Sequence, residues 1–215
     1  MYHNIKDKIL KGFILKLQKA KNEDIIVTIL TAKSVTKYYR FYGARHSILQ
    51  LGYLIDFESE ESHNFLPKIR KISHIGFPWL YNREKLMLWH NFISIFEPHF
   101  RDISNIEPFY YDTILKVAKR WDKQSPKRLI VESYISILKY EGRIKPLSKC
   151  IICKRDIEDN ISVIDGFLPT HSNCSNTQTI NKKALEKLFL TASSIDLDDN
   201  IIESLYLIAL KGFLI

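Results

Sequence analysis

The sequence predicts an α+β chain, with a small five-stranded β-barrel first and a helical region after it. Three observations carry that prediction. Apolar residues follow a period of two between residues 12 and 75 and a helical period of about 3.6 beyond Gly76-Phe77-Pro78. Five short extended segments joined by polar turns fill those first residues, which suits a closed barrel better than a sandwich. All three cysteines then crowd into residues 150–174, beside one histidine. The expected domains are 1–77 and 78–215, with a small module at 148–176 inside the second.

The elements follow in order. Gly12–Leu17 places Phe13, Leu15 and Leu17 on one face, and Lys19–Glu23 is a polar turn. Asp24–Thr31 is a β-branched run, as expected of a strand buried on both sides. Val35–Tyr42 alternates, with Tyr38, Arg40 and Tyr42 on one face and Tyr39 and Phe41 on the other, which is expected to point inward. Ile48–Phe57 alternates again, Glu58–Glu61 reads as an acidic turn, and Phe65–Ile75 interleaves Lys68, Arg70 and His74 with isoleucines. Arg83–Phe100 carries Leu86, Trp89, Ile93 and Phe96 on a helical stripe that Pro98 ends. Pro108 and Pro126 each stand at a first helical position. The first of these helices runs to about Trp121, and the second ends at Gly142, a C′ glycine. Asn181–Ala192 and Asp196–Leu210 read as the last two helices.

Composition narrows the function. In 215 residues, 46% hydrophobic and 12% aromatic content is enough for a packed core. The formal net charge is +8, which favours a polyanionic partner. Residues 1–76 hold 13 Lys+Arg against 7 Asp+Glu, residues 77–149 hold 13 against 8, and residues 150–215 hold 6 against 9. The basic excess therefore lies in the first two thirds. No apolar run is long enough to span a membrane, and the N-terminal residues lack a signal-peptide core. Thiols in a metal-like spacing suit a reducing compartment, so the cytoplasm is expected.

The cysteine-rich stretch carries the most specific signal. Cys150 and Cys153 are separated by two residues, as are His171 and Cys174. One tight turn can aim both side chains of such a pair at a single point. Two turns supply four N/S ligands at tetrahedral corners, the closed set that structural Zn²⁺ prefers. No coordination position is left for a substrate, so the expected zinc is a staple rather than a catalyst.

Particular residues in this order resemble the RecO family of bacterial recombination mediators. Gly12-Phe13-Ile14-Leu15 is similar to its opening strand, and Glu23–Thr31 to its second. Gly43-Ala44-Arg45 followed by Ser47 resembles its glycine-alanine-arginine segment, and the Cys/His pairs resemble its zinc module. His171 stands where the family usually has a third cysteine, and Zn²⁺ accepts either donor. The basic loop after the segment is shorter than usual, only Arg45-His46, and residues 1–10 look like an extension without an assigned role. The resemblance implies an OB-like barrel and a protein with no enzymatic activity. It further implies binding and annealing of single-stranded DNA, contact with the acidic tail of single-stranded DNA-binding protein (SSB), pairing with RecR and help in loading RecA.

Candidate sites follow. An OB-type barrel binds single strands with a cationic groove and aromatics on which bases stack. Lys37, Tyr38, Arg40, Tyr42 and Arg45 supply both kinds of group, and Lys16, Lys19, Lys68, Arg70 and Lys71 are candidates for phosphate contacts. Lys116, Lys119, Arg120, Lys123, Lys127 and Arg128 form a cationic cluster at a helix–helix junction. It suits the acidic SSB tail, with Arg120 or Arg128 on the terminal carboxylate and Trp121 or Ile130 receiving the apolar side chain. The alternatives are a zinc-stapled OB-fold module for RNA or protein, and a nuclease of the HNH type. The second is disfavoured because Val163–Pro169 offers Asp165-Gly166 where that class holds a general-base histidine. No Walker-type loop is present, and the remaining histidines show no ligand spacing.

Overall fold

The computed structural model describes residues 8–45, 48–62 and 64–213. Most of the expected N-terminal extension, and Ser47 of the segment that resembles the family, lie outside the described residues. The chain divides into two compact units, the first running to Ala118 and the second starting at Lys119.

In the first unit, strands β1 (Lys8–Lys19), β2 (Ile25–Thr31), β3 (Val35–Arg40), β4 (Leu54–Glu60) and β5 (Lys68–Ile75) close into a barrel of order β1-β2-β3-β5-β4. The long β1 makes closure possible. Its N-terminal half pairs with β4, its C-terminal half pairs with β2, and the register shifts between Ile14 and Lys16. Such a bulge bends the strand and lets it serve two neighbours. Gly12 lies at the crossover, where a Cβ would stand 2.7 Å from the Leu30 carbonyl oxygen. The other seam is short, with β3 and β5 parallel and Tyr39 opposite Lys68. Ile14, Val27, Ile29, Ile55, Phe57 and Ile69 fill the interior.

Strands β4 and β5 start later than the sequence suggests, β5 at Lys68 rather than Phe65. Residues 48–53 form a turn, and β4 begins only at Leu54. Gly52 has φ +76°, and its carbonyl accepts a 2.9 Å hydrogen bond from Trp89 Nε1. The left-handed Gly52 thus interrupts the extended run, while Ile48, Leu49 and Tyr53 still pack against the barrel core and Ile14 keeps backbone hydrogen bonds to Gly52 and Tyr53. The expected acidic turn at Glu58–Glu61 is mostly strand, and the Glu58 and Glu60 carboxylates pair with Lys71 and Arg70 on β5. Opposite charges facing across a ladder stabilise it.

Helices α1 (Arg83–Ser94), α2 (Phe96–His99) and α3 (Pro108–Arg120) follow a 3-10 turn at Pro78–Tyr81. The single helix expected over Arg83–Phe100 breaks at Ile95, and Pro98 lies inside the short second piece. Asn82 caps α1 by accepting from the Lys85 amide at 3.0 Å. Trp89 is fully buried, with the rings of Trp79 at 5.0 Å and Phe13 at 6.1 Å. Trp79 Nε1 donates to the Ala118 carbonyl at 2.9 Å, so the large polar ring is satisfied inside.

The second unit holds α4 (Pro126–Tyr140), β6 (Asn160–Ile164), β7 (Leu168–Thr170), α5 (Ser172–Ser175), β8 (Ile180–Asn181), α6 (Lys182–Thr191) and α7 (Asp199–Ala209). The three strands form a small antiparallel sheet of order β7-β6-β8. Gly142, at φ +67°, ends α4, and the Arg143 amide returns to the Leu138 carbonyl at 2.8 Å, as a glycine C′ position requires. Among the described residues, no helix is long and apolar enough to cross a membrane.

Gly52→Ala tests the turn. The added methyl would meet the Trp89 ring at 2.5 Å in a conformation that disfavours side chains. We expect a loss of about 1–3 kcal/mol, read as a lower urea midpoint with an unchanged slope.

Candidate metal centre and the outer face of the barrel

Each half of the cysteine-rich stretch is a tight turn. The Lys154 amide returns to the Cys150 carbonyl at 3.0 Å, and Lys154 takes a left-handed φ of 65°. The Cys174 amide returns to the His171 carbonyl at 3.0 Å, and Asn176, at φ 54°, closes that turn. The Ile151 amide donates to the Pro169 carbonyl at 2.8 Å, which ties the first turn to β7, the strand that delivers His171.

These ties bring Cys150, Cys153, His171 and Cys174 together, with all four ligand atoms within 4.8 Å of one another. A tetrahedral Zn²⁺ with ordinary Zn–S bonds places its ligands roughly 3.8 Å apart, so the set fits one ion. His171 Nδ1 lies 3.3 Å from Cys153 Sγ and 3.8 Å from Cys174 Sγ. Its Nε2 is 2.9 Å from the Asp156 carbonyl oxygen. Nε2–H donating to that carbonyl leaves the Nδ1 lone pair for a metal, the usual way a protein orients a ligating histidine.

The thiols differ in acidity. The backbone amide and guanidinium of Arg155 hold Cys153 down at about 6. Burial, with the sulfurs of Cys153 and Cys150 nearby, pushes Cys174 up to about 11. A divalent cation reverses the second effect, because a coordinating thiol is deprotonated outright. The four side chains could thus hold a metal such as zinc in a closed Cys₃His set, with Arg155 offsetting the surplus negative charge.

On the barrel, the orientation of β3 is the reverse of the expected one. Tyr38 is only 4% exposed and meets the Phe57 ring at 5.1 Å in the interior, so it offers no stacking surface. Tyr39 and Phe41 face outward instead, and Phe41 is 45% exposed. The β2–β3 register explains this, because Tyr38 sits opposite Val27, whose side chain fills the core. The Tyr39 hydroxyl donates to Asp24 at 2.5 Å, and that bond raises the hydroxyl's pKa. Tyr42 is exposed beyond the strand, with Arg45 over its ring at 5.5 Å.

Many of the expected phosphate contacts are already ion-paired. Lys16 pairs with Glu97 at 2.8 Å, Arg70 with Glu60 at 2.9 Å, Lys71 with Glu58 at 2.8 Å, and Arg45 with Glu23. Lys19, Lys37 and Lys68 form no ion pair among the described residues. Arg40 Nη1 donates to the Ile69 carbonyl at 3.1 Å, while its buried Nε has no partner among the described residues.

A groove of about 560 Å³ lies on the outer face, lined by Ile26, Tyr39, Phe41, Ser62, Phe65, Leu66 and Lys68. Sequence reading missed most of it. A strand with aromatics on both faces gives no polarity contrast from which to read its phase.

The cationic cluster on α3 and α4 is only partly available. Arg128 donates to the Ser194 carbonyl at 2.5 Å, and to the Leu197 carbonyl and Asp199 at 2.8 Å. Lys127 pairs with Glu203 and lies 5.3 Å from the Tyr206 ring centroid. Trp121 and Ile130 are fully buried and cannot receive a partner's side chain as expected. Lys116, Lys119 and Lys123 are exposed and Arg120 is half-buried, and none forms an ion pair among the described residues.

Metal analysis should find about one zinc per chain. Cys150→Ser should lower the melting temperature and the bound metal together, while His171→Cys should keep the metal, because either donor completes the set.

Among known proteins, residues 10–80 match the family model described as RecO N terminal. The match covers the barrel and the turn that follows it, but not the metal module. No curated protein matches the chain.

Proposed function

The chain belongs to the RecO family through its N-terminal domain, and we propose that it is a non-enzymatic mediator that binds and anneals single-stranded DNA. The observation that carries this reading is the closed barrel of order β1-β2-β3-β5-β4 within the matched residues. Its outer face presents lysines that carboxylates do not neutralise, and such a face suits a phosphate backbone. In this reading residues 1–77 bind DNA, and residues 78–215 carry a structural zinc and partner contacts. The family supports RecR, the acidic SSB tail and RecA loading as the setting, and the cytoplasm as the location.

For the SSB tail, the commitments of Arg128 leave Arg120 to take the terminal carboxylate, with Lys119 and Lys123 steering the acidic residues. A nuclease is disfavoured by a particular contact, since Asp165, at the position of that class's base, pairs with Lys211 at 2.7 Å. An RNA-binding module shares the barrel but has no reason to anneal strands covered by SSB.

The experiment is oligonucleotide binding across several salt concentrations, followed by annealing of complementary SSB-coated strands. Affinity should fall steeply with salt. The Lys37→Ala, Lys68→Ala double variant should reduce the logarithmic salt slope by roughly one to two, about 0.7 for each phosphate of a single strand that is no longer neutralised. Wild-type protein that binds no single strand, or binds but never anneals, would remove the reading.

A further inference from the structure

The first cysteine pair sits at the tip of a short hairpin. The Cys150 amide donates to the Arg155 carbonyl at 2.9 Å, and the Ile157 amide donates to the Ser148 carbonyl at 2.8 Å. Lys149 stands opposite Asp156 in this stem. The tip, residues 151–154, is pinned at both ends. The Ile151 amide donates to the Pro169 carbonyl at 2.8 Å, and the Lys154 amide to the Cys150 carbonyl at 3.0 Å. Such a turn needs its two cysteines and its backbone bonds, and neither calls for apolar side chains between the ligands. Ile151 and Ile152 nevertheless fill both positions, 36% and 50% exposed.

Charge says what covers them. Residues 142–155 carry Arg143, Lys145, Lys149, Lys154 and Arg155 and no acid, whereas residues 156–215 carry 4 Lys+Arg against 9 Asp+Glu. Arg143 pairs with Glu141, and Arg155 is engaged with the Cys153 thiol. Lys145, Lys149 and Lys154 are exposed and form no ion pair among the described residues. Lys154 Nζ donates to the Ile151 carbonyl at 2.7 Å, which holds its charge beside the isoleucines. An apolar spot rimmed by polar groups marks a contact surface, and the occupant that matches is acidic and brings an apolar side chain. A nucleic acid supplies the charge, but its bases stack on rings, and residues 142–157 contain no Phe, Tyr or Trp. An acidic stretch of protein supplies both.

We propose that the hairpin tip is a docking knob for an acidic segment of a partner protein, whose apolar side chain packs on Ile151 and Ile152 while its carboxylates meet Lys149 and Lys154. The proposal goes beyond the mediator reading, because single-strand binding by the barrel does not call on the tip. The backbone bonds that pin the tip leave little ordering cost to binding. The isoleucines then supply affinity, and the lysines speed encounter and exclude basic partners.

The test selects binders from a random peptide library on the full chain purified with zinc, and counter-selects on the Ile151→Ser, Ile152→Ser double variant. Both side chains are exposed and neither is a ligand, so the variant should keep its zinc, its melting temperature and its affinity for a single-stranded oligonucleotide. The selected peptides should carry several acids around an aliphatic or aromatic residue. They should bind the double variant about ten-fold or more weakly than wild type, for the apolar area no longer buried. Lys149→Gln with Lys154→Gln should weaken them and flatten their salt dependence. Should the double variant lose zinc, Ile152→Asp leaves Ile151 in place and should still repel the acidic peptides. Selected peptides without acids, or peptides that bind wild type and the isoleucine variants equally, overturn the proposal. So does a loss of oligonucleotide binding in the double variant as large as its loss of peptide binding, which would make the tip a nucleic-acid contact. Oligonucleotide binding by wild type is read separately, so the mediator reading stands or falls on its own result.

Discussion

The dual pairing of β1 is the constraint on which the N-terminal domain depends. One strand pairs with β2 along one half and with β4 along the other, and the register shift between Ile14 and Lys16 makes that possible. Gly12 permits the close approach at the bend, where the Leu30 carbonyl leaves no room for a side chain. With the sheet closed on that side, β3 and β5 need only a short parallel seam on the other. That seam places Lys68 in line with Tyr39 and Ile26 and so creates the floor of the outer groove.

The second unit is held differently. Its sheet has strands of five, three and two residues, too short to be stable through pairing alone. The Cys₃His cluster joins the loop before β6 to the turn after β7, across the sheet that carries them. A metal there would supply folding energy that a small sheet lacks. Arg155 and the Asp156 carbonyl act on the cluster from within the same loop, one on Cys153 and the other on His171. The four candidate ligands thus come from residues 150–174 alone.

Electrostatics separate the total charge of the barrel from the charge it can use. Lys16, Arg45, Arg70 and Lys71 each face a carboxylate. Exposed pairs of this kind contribute little to stability. They do lower the local positive potential, and of the barrel cations singled out in the sequence they leave Lys19, Lys37 and Lys68 without an ion pair among the described residues. Net charge alone would have counted all of them equally.

Local sequence pattern is enough to pick out the Cys₃His cluster, the strand count of the barrel, the change of period after Gly76, and the helix ends at Pro108, Pro126 and Gly142. Each is a local matter: two-residue ligand spacing, alternation, a fixed proline φ, a glycine that tolerates the left-handed region. Long-range packing alone sets which face of β3 looks outward, because both of its faces carry aromatics and Val27 across the ladder draws Tyr38 into the core. Only it turned residues 48–53 away from strand, through a hydrogen bond from Trp89, thirty-seven positions away, to Gly52. And only it showed that Arg128 and Trp121 serve the fold, because the carbonyls that hold Arg128 lie more than sixty residues further along the chain. Pairing partners far apart in sequence set these outcomes, and no local pattern records them.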